Sequence, residues 1–198
     1  MTDETTNAEV KKDGFFKSYF KCMKLDVRHI AINAVIAAMY AVLTYAFFFI
    51  SYGQLQVRIS EFMILLAFFN PNYIYGLTIG CIIANIYSPA FSAFCSPLDI
   101  IFGTMATFLA AVSISLCRHM FIATLFPAIY NGVLLGAEFC MTANNFSQTY
   151  FWTNFGYVAL GEVIAVCVLG YIIFMILGKK WKGFYKLIDA KFNVPLKW

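Results

Sequence analysis

The feature that most constrains this chain is a succession of apolar runs long enough to cross a bilayer, the first reaching from Ile30 to Ile50. At about 1.5 Å of rise per residue, a helix of that length covers a hydrocarbon core of roughly 30 Å. Composition agrees: 62% of the 198 residues are hydrophobic and only 12% charged, where soluble domains carry roughly 25%. Mean hydropathy is +0.76. The chain therefore reads as an all-α integral membrane protein, and no polar stretch inside it is long enough to link two domains.

After the first run come Tyr52, Gly53 and Gln54, then a second apolar stretch from Val57 to Phe69. Asn70, Pro71 and Asn72 interrupt it with residues that break helices, and a third stretch runs from Tyr73 to Tyr87. A loop marked by Ser88, Pro89, Ser96 and Pro97 precedes a fourth, Leu98 to Cys117, which stops at Arg118 and His119. A fifth extends from Met120 to Met141 and a sixth from Tyr150 to Leu177. The second and third are short and are either two passes or one long helix kinked at Pro71. Charge separates the readings, because lysines crowd residues 11–24 and 179–197, and only an even number of spans keeps both basic flanks in the cytoplasm. The expected architecture is a six-transmembrane-helix bundle with both termini cytoplasmic. It divides into a basic N-terminal segment (1–29), a membrane domain (30–178) and a basic tail (179–198). The tail reads as an interfacial helix, with Trp181, Phe184, Tyr185, Leu187 and Ile188 toward lipid. The first apolar run is too long for a signal-peptide core, so no cleaved leader is expected.

Ionisable residues within spans are costly and usually face a partner, a cavity or a substrate. On the six-span layout Glu61, Asp99, Glu138 and Glu162, from four different helices, converge near the outer face with Arg58 among them. A plainer reading pairs Arg58 with Glu61, three residues apart, and makes Asp99 a helix cap. It leaves Glu138 and Glu162 without a cation nearby in sequence. An outward cavity with net negative charge favours a cationic or hydrogen-bond-donating ligand. Asn85 and Asn154 lie nearest that level and offer amides that donate and accept; Asn131 falls mid-span. Trp152, among the aromatics at the start of the sixth span, belongs either to an interfacial belt or to a stacking surface.

Ala31, Ala34, Ala38 and Ala41 are spaced three, four and three along the first helix, and Gly76, Gly80 and Ala84 form a similar stripe on the third. Such stripes let helices approach closely. The glycine stripe suits packing inside the bundle; the alanine stripe suits that or contact with another membrane protein. The six cysteines form no CxxC pair and no histidine stands at zinc-finger spacing, so no metal site is signalled. There is no GxxxxGK[ST], HExxH, GxSxG or aspartate-rich diphosphate motif. An ATP-driven role would need a motor borrowed from other subunits.

Several segments together resemble the QueT-type substrate-binding (S) components of bacterial energy-coupling factor transporters. They are Arg58-Ile59-Ser60-Glu61, Gly76 to Gly80 continuing through Cys81, Ala84 and Asn85, and Leu98-Asp99-Ile100 with Phe102-Gly103 and Ala106-Thr107. Pro127, Asn131, Gly132 and Glu138, and Gly161-Glu162 with Gly170, extend the resemblance over 30–178. It implies a six-helix subunit of the bacterial cell membrane, without a cofactor of its own, whose first-helix stripe (Ala34 and Ala38) docks on a transmembrane coupling subunit served by two cytoplasmic ATPases. It also implies a queuosine precursor as substrate, 7-aminomethyl-7-deazaguanine or a related 7-deazapurine. The competing readings are an S component for another vitamin-like heterocycle, a self-sufficient proton-coupled carrier using Glu138 and Glu162, and a membrane enzyme, for which no catalytic constellation is present. Nucleic acid is not an expected partner.

Overall fold

Apolar runs separated by helix breakers fold into helices, and among the described residues there is no strand. The computed structural model describes residues 19, 23, 26–52, 55–86, 96–180 and 183–190. Among the described residues four helices are long and apolar enough to cross a membrane: α1 (Val27–Ala46), α4 (Asp99–Leu116), α5 (Met120–Thr142) and α6 (Gln148–Lys180). Between α1 and α4 lie the shorter apolar α2 (Ile59–Phe69) and α3 (Tyr73–Ile86), and a single turn, α7 (Phe184–Leu187), follows α6. Most of the basic N-terminal segment, the loop residues 87–95, Trp181, Lys182 and the tail from Lys191 lie outside the described residues.

Local chemistry sets the ends of these helices. The Asp26 carboxylate accepts from the Val27 N–H at 2.8 Å ahead of α1, and Ser147 Oγ accepts from the Tyr150 N–H at 3.3 Å at the start of α6. Asn70 takes an extended conformation, φ −147° and ψ 112°, which ends α2 before Pro71. One kinked helix would hold residues 58 and 85 about 40 Å apart at 1.5 Å per residue. Instead Arg58, just ahead of α2, hydrogen-bonds to Asn85 near the end of α3, and Tyr52 Oη donates to the Ala84 carbonyl at 2.7 Å. Thus α2 and α3 form a hairpin.

The glycine stripe packs internally, against α1. The Gly76 N–H donates to Asn33 Oδ1 at 2.9 Å, and a Cβ on Gly80 would lie 2.8 Å from Tyr40 Cβ and 3.0 Å from the Ala37 carbonyl. That contact uses the face of α1 carrying Asn33, Ala37 and Tyr40, all buried. Ala31, Ala34 and Ala38 are exposed on the other side. Ala41, expected to share their face, is buried. Ten residues at about 100° each turn it some 80° out of line with Ala31.

The bundle end opposite the Arg58–Asn85 contact is tied together by polar groups. Tyr19 Oη meets Ser115 Oγ at 2.8 Å, His29 Nε2 lies 3.3 Å from Asp189 Oδ2, and Asn70 Nδ2 donates to the Asp189 carbonyl at 2.9 Å. Tyr73 Oη donates to the Ile188 carbonyl at 2.6 Å. Here the expected interfacial tail needs correction: Phe184 and Ile188 turn inward and are buried, while Leu187 stays exposed. Phe184 meets Phe69 and Phe174 edge-on, with ring centroids 5.9 and 5.8 Å apart. That aromatic cluster offers closer packing than lipid tails do.

Candidate functional site

Among the described residues Arg58 is the one basic side chain in the polar cluster at the other end, and it is only 4% exposed. The segment carrying it passes tightly over α6, where Gly161 has no side chain: the Leu55 carbonyl oxygen occupies the place of a Cβ, and the Gln56 carbonyl oxygen lies 2.8 Å from it. Gln56 takes φ 43° as the chain turns there. Any side chain on Gly161 would push this segment, and Arg58 with it, away from α6. The guanidinium lies 5.9 Å from the centre of the Tyr52 ring, and its Nη2 donates to Asn85 Oδ1. Asn85 is engaged on its other side too, its Nδ2 donating to the Asp99 carbonyl at 3.0 Å and to Cys81 Sγ at 3.4 Å.

Around this cation stand the acids. Glu61, one turn into α2, accepts at Oε1 from Tyr40 Oη and from Thr107 Oγ1 at 3.2 Å. Glu162 accepts at Oε1 from Asn131 Nδ2 at 2.9 Å and lies within electrostatic range of both Glu61 and Arg58. Glu138 accepts at Oε1 from Ser96 Oγ at 2.8 Å and faces Asp99, with Arg58 within electrostatic range. Asp99 Oδ2 accepts from the Ser96 N–H at 3.2 Å, closing the turn ahead of α4. Immediately after Glu162 the backbone of α6 widens to π-helical bonding over 163–170, a distortion frequent beside functional sites.

Six of the eight residues singled out in sequence as lining the cavity, Arg58, Glu61, Asn85, Asp99, Glu138 and Glu162, are thus neighbours contributed by α2, α3, α4, α5, α6 and the segment before α2. The simple Arg58–Glu61 pair is not how their hydrogen bonds are spent, since Arg58 bonds Asn85 while Glu61 bonds Tyr40 and Thr107. Trp152 stands apart at 61% exposure, and Asn154 bonds the Tyr150 carbonyl of its own helix at 2.9 Å. Tyr40, Thr107 and Ser96 are not among the expected site residues, since Thr107 stands only in a family motif and Ser96 only in a loop until the fold sets each hydroxyl against a carboxylate. Asn131, read as mid-span, holds Glu162.

Several atoms here are buried without a hydrogen-bond partner among the described residues. They are Glu61 Oε2, Glu138 Oε2, Glu162 Oε2, Asn131 Oδ1, and Arg58 Nε and Nη1. Unpaired buried charge is expensive. Three carboxylate oxygens and an amide oxygen ask for donors, and two guanidinium N–H groups ask for an acceptor. A small polar ligand rich in donors, with at least one acceptor, answers both requirements. Among the described residues no three His, Cys, Asp or Glu side chains are arranged so that they could hold a metal ion.

The family model described as the QueT transporter matches residues 30–179. The chain is 33% identical over 162 residues to the queuosine precursor transporter QueT of Lactococcus lactis subsp. cremoris (strain MG1363), covering 74% of this chain and 90% of that protein. No solved structure matches the chain significantly.

Proposed function

This chain belongs to the QueT transporter family, and from that premise we propose that it is the substrate-binding S component of an energy-coupling factor importer for a queuosine precursor. It is a multi-pass membrane protein. In our reading α1 to α6 are six passes with both termini in the cytoplasm, and the cluster around Arg58 opens outward. The contact of His29 with Asp189 supports this, since it holds the beginning of α1 and the tail that follows α6 at one end of the bundle.

The observation that carries the substrate reading is the set of unpaired oxygens on Glu61, Glu138 and Glu162 beside Arg58. In 7-aminomethyl-7-deazaguanine the amidine edge and the ammonium arm are donors and the ring carbonyl is an acceptor. One carboxylate takes two hydrogen bonds from the amidine edge and another pairs with the ammonium. Ligand binding thereby removes the cost of leaving these groups unpaired. The exposed face of Ala31, Ala34 and Ala38 then serves a transmembrane coupling subunit, itself joined to two cytoplasmic ATPases. Calorimetric titration of the purified protein with a panel of deazapurines tests the proposal, with saturable binding of the aminomethyl compound expected. Selective binding of an unrelated vitamin with no response to any deazapurine would overturn the substrate, and uptake by the chain alone in cells lacking the coupling subunit would overturn the S-component role.

A further inference from the structure

The hydrogen bonds around Arg58 divide its guanidinium into a fixed part and a free part. Nη2 is held by Asn85 Oδ1, while Nε and Nη1 have no hydrogen-bond partner among the described residues. Asn85 is in turn immobilised by the Asp99 carbonyl and Cys81 Sγ. The space for its amide exists because residue 103 is glycine: a Cβ there would come 2.8 Å from Asn85 Nδ2 and 3.6 Å from Arg58 Nη1. Every other unpaired atom named in the cluster is an oxygen that accepts, so among those described residues Arg58 is the one with free N–H donors.

Resting on the deazapurine reading, we propose that Arg58 is the specificity-determining residue that reads a carbonyl oxygen on the ligand, and that Asn85 and Gly103 are positioning residues acting through it. Arginine has no acceptor. A base carrying an amino group in place of that carbonyl aims donors at donors and leaves the buried guanidinium unpaired. Sites built to pair a polar group reject analogues lacking it far more strongly than apolar pockets reject a methylene. Asn85 has no amide hydrogen left over for the ligand's edge, so its effect on affinity passes through the direction in which Arg58 points.

The test is a matched pair of ligands, 7-aminomethyl-7-deazaguanine and 7-aminomethyl-7-deazaadenine, titrated into the full-length wild-type protein and into Asn85→Ala, Gly103→Ala and Arg58→Gln. The wild type is expected to prefer the oxo compound by roughly 100-fold. Asn85→Ala and Gly103→Ala should shrink that ratio by about tenfold or more, and neither should reduce it further once Arg58 is already Gln. Equal binding of both ligands by the wild type would overturn the inference while leaving the deazapurine reading intact; binding of neither would overturn both. Loss of affinity for the two ligands in equal proportion in Asn85→Ala and Gly103→Ala would make those residues merely structural and overturn their positioning role. Because the deazaadenine also lacks the donors of the amidine edge, a ratio left unchanged in Arg58→Gln would assign the preference to the carboxylates and overturn the role of Arg58, with Arg58→Lys as the second variant where Arg58→Gln fails to fold.

Discussion

His29 Nε2, at the beginning of α1, lies 3.3 Å from the Asp189 carboxylate, 160 positions further along the chain. The contact closes the bundle at one end, where the α2–α3 corner joins through Asn70 and Tyr73. The Arg58 cluster occupies the other end. The two polar regions lie at opposite ends of α3, whose Tyr73 belongs to one and Asn85 to the other.

Topology gives the first prediction. Helix α6 contains 33 residues and at 1.5 Å each is about 50 Å long, so its two ends emerge on opposite sides of any bilayer it crosses. Asn145, ahead of α6, and Lys180, at its end, are both exposed. With endogenous cysteines replaced, Asn145→Cys is expected to react with an impermeant maleimide on intact cells and Lys180→Cys only after permeabilisation. The reverse pattern would place the acidic cluster on the cytoplasmic side.

The tail gives the second. Phe184 is buried among Phe69, Phe174 and Tyr185, whereas the His29–Asp189 contact is partly exposed, at 13% and 35%. Truncating a buried phenylalanine costs about 3 kcal/mol or more, and a partly exposed side-chain contact of this kind contributes less than about 1 kcal/mol. Thermal unfolding in detergent should therefore show a much larger loss for Phe184→Ala than for Asp189→Asn. Similar losses would make the polar contacts, rather than the aromatic cluster, the anchor of the tail.

The third concerns the acids. Glu162 and Glu138 each use Oε1 within the protein, on Asn131 and Ser96, and each leaves Oε2 unpaired. Replacement by glutamine preserves the size and the internal acceptor but turns the free atom into a donor. Glu138→Gln and Glu162→Gln should each weaken precursor binding by about 1.5 to 3 kcal/mol while folding persists. Unchanged calorimetric affinity in both variants would make these carboxylates structural.

The helical segments were legible because apolar run length and the Asn70-Pro71-Asn72 break are local signals. The acids were legible because a carboxylate in an apolar run stands out against the cost of burying it. What holds them was not. Tyr40 serves Glu61 only because Gly80 lets α3 settle against α1, and Asn131 reaches Glu162 only through the packing of α5 on α6. Those are consequences of three-dimensional approach rather than of sequence spacing. Phe184 and Ile188 were misplaced toward lipid for the same reason, since an amphipathic pattern marks which residues avoid water without naming what covers them.

The last prediction uses the two faces of α1. Ala37 and Tyr40 lie under the glycine stripe of α3, and Ala34 and Ala38 lie on the opposite, exposed surface. A leucine at Ala37 must displace α3, where the approach is already as close as 3.0 Å between the Ala37 carbonyl and the Cβ position of Gly80. Overpacking of that kind costs roughly 1 to 3 kcal/mol, and because Tyr40 bonds Glu61, ligand affinity should fall with it. Ala38 is exposed, so a leucine there is expected to extend away from the packed interior. It fills the shallow groove through which a partner helix would approach, so Ala34→Leu/Ala38→Leu should leave folding and ligand affinity nearly unchanged while abolishing uptake and co-purification with the coupling subunit. Ligand binding, complex formation and uptake measured on the same preparations separate the faces. Normal uptake by the double variant would show that this face is not where the importer is assembled.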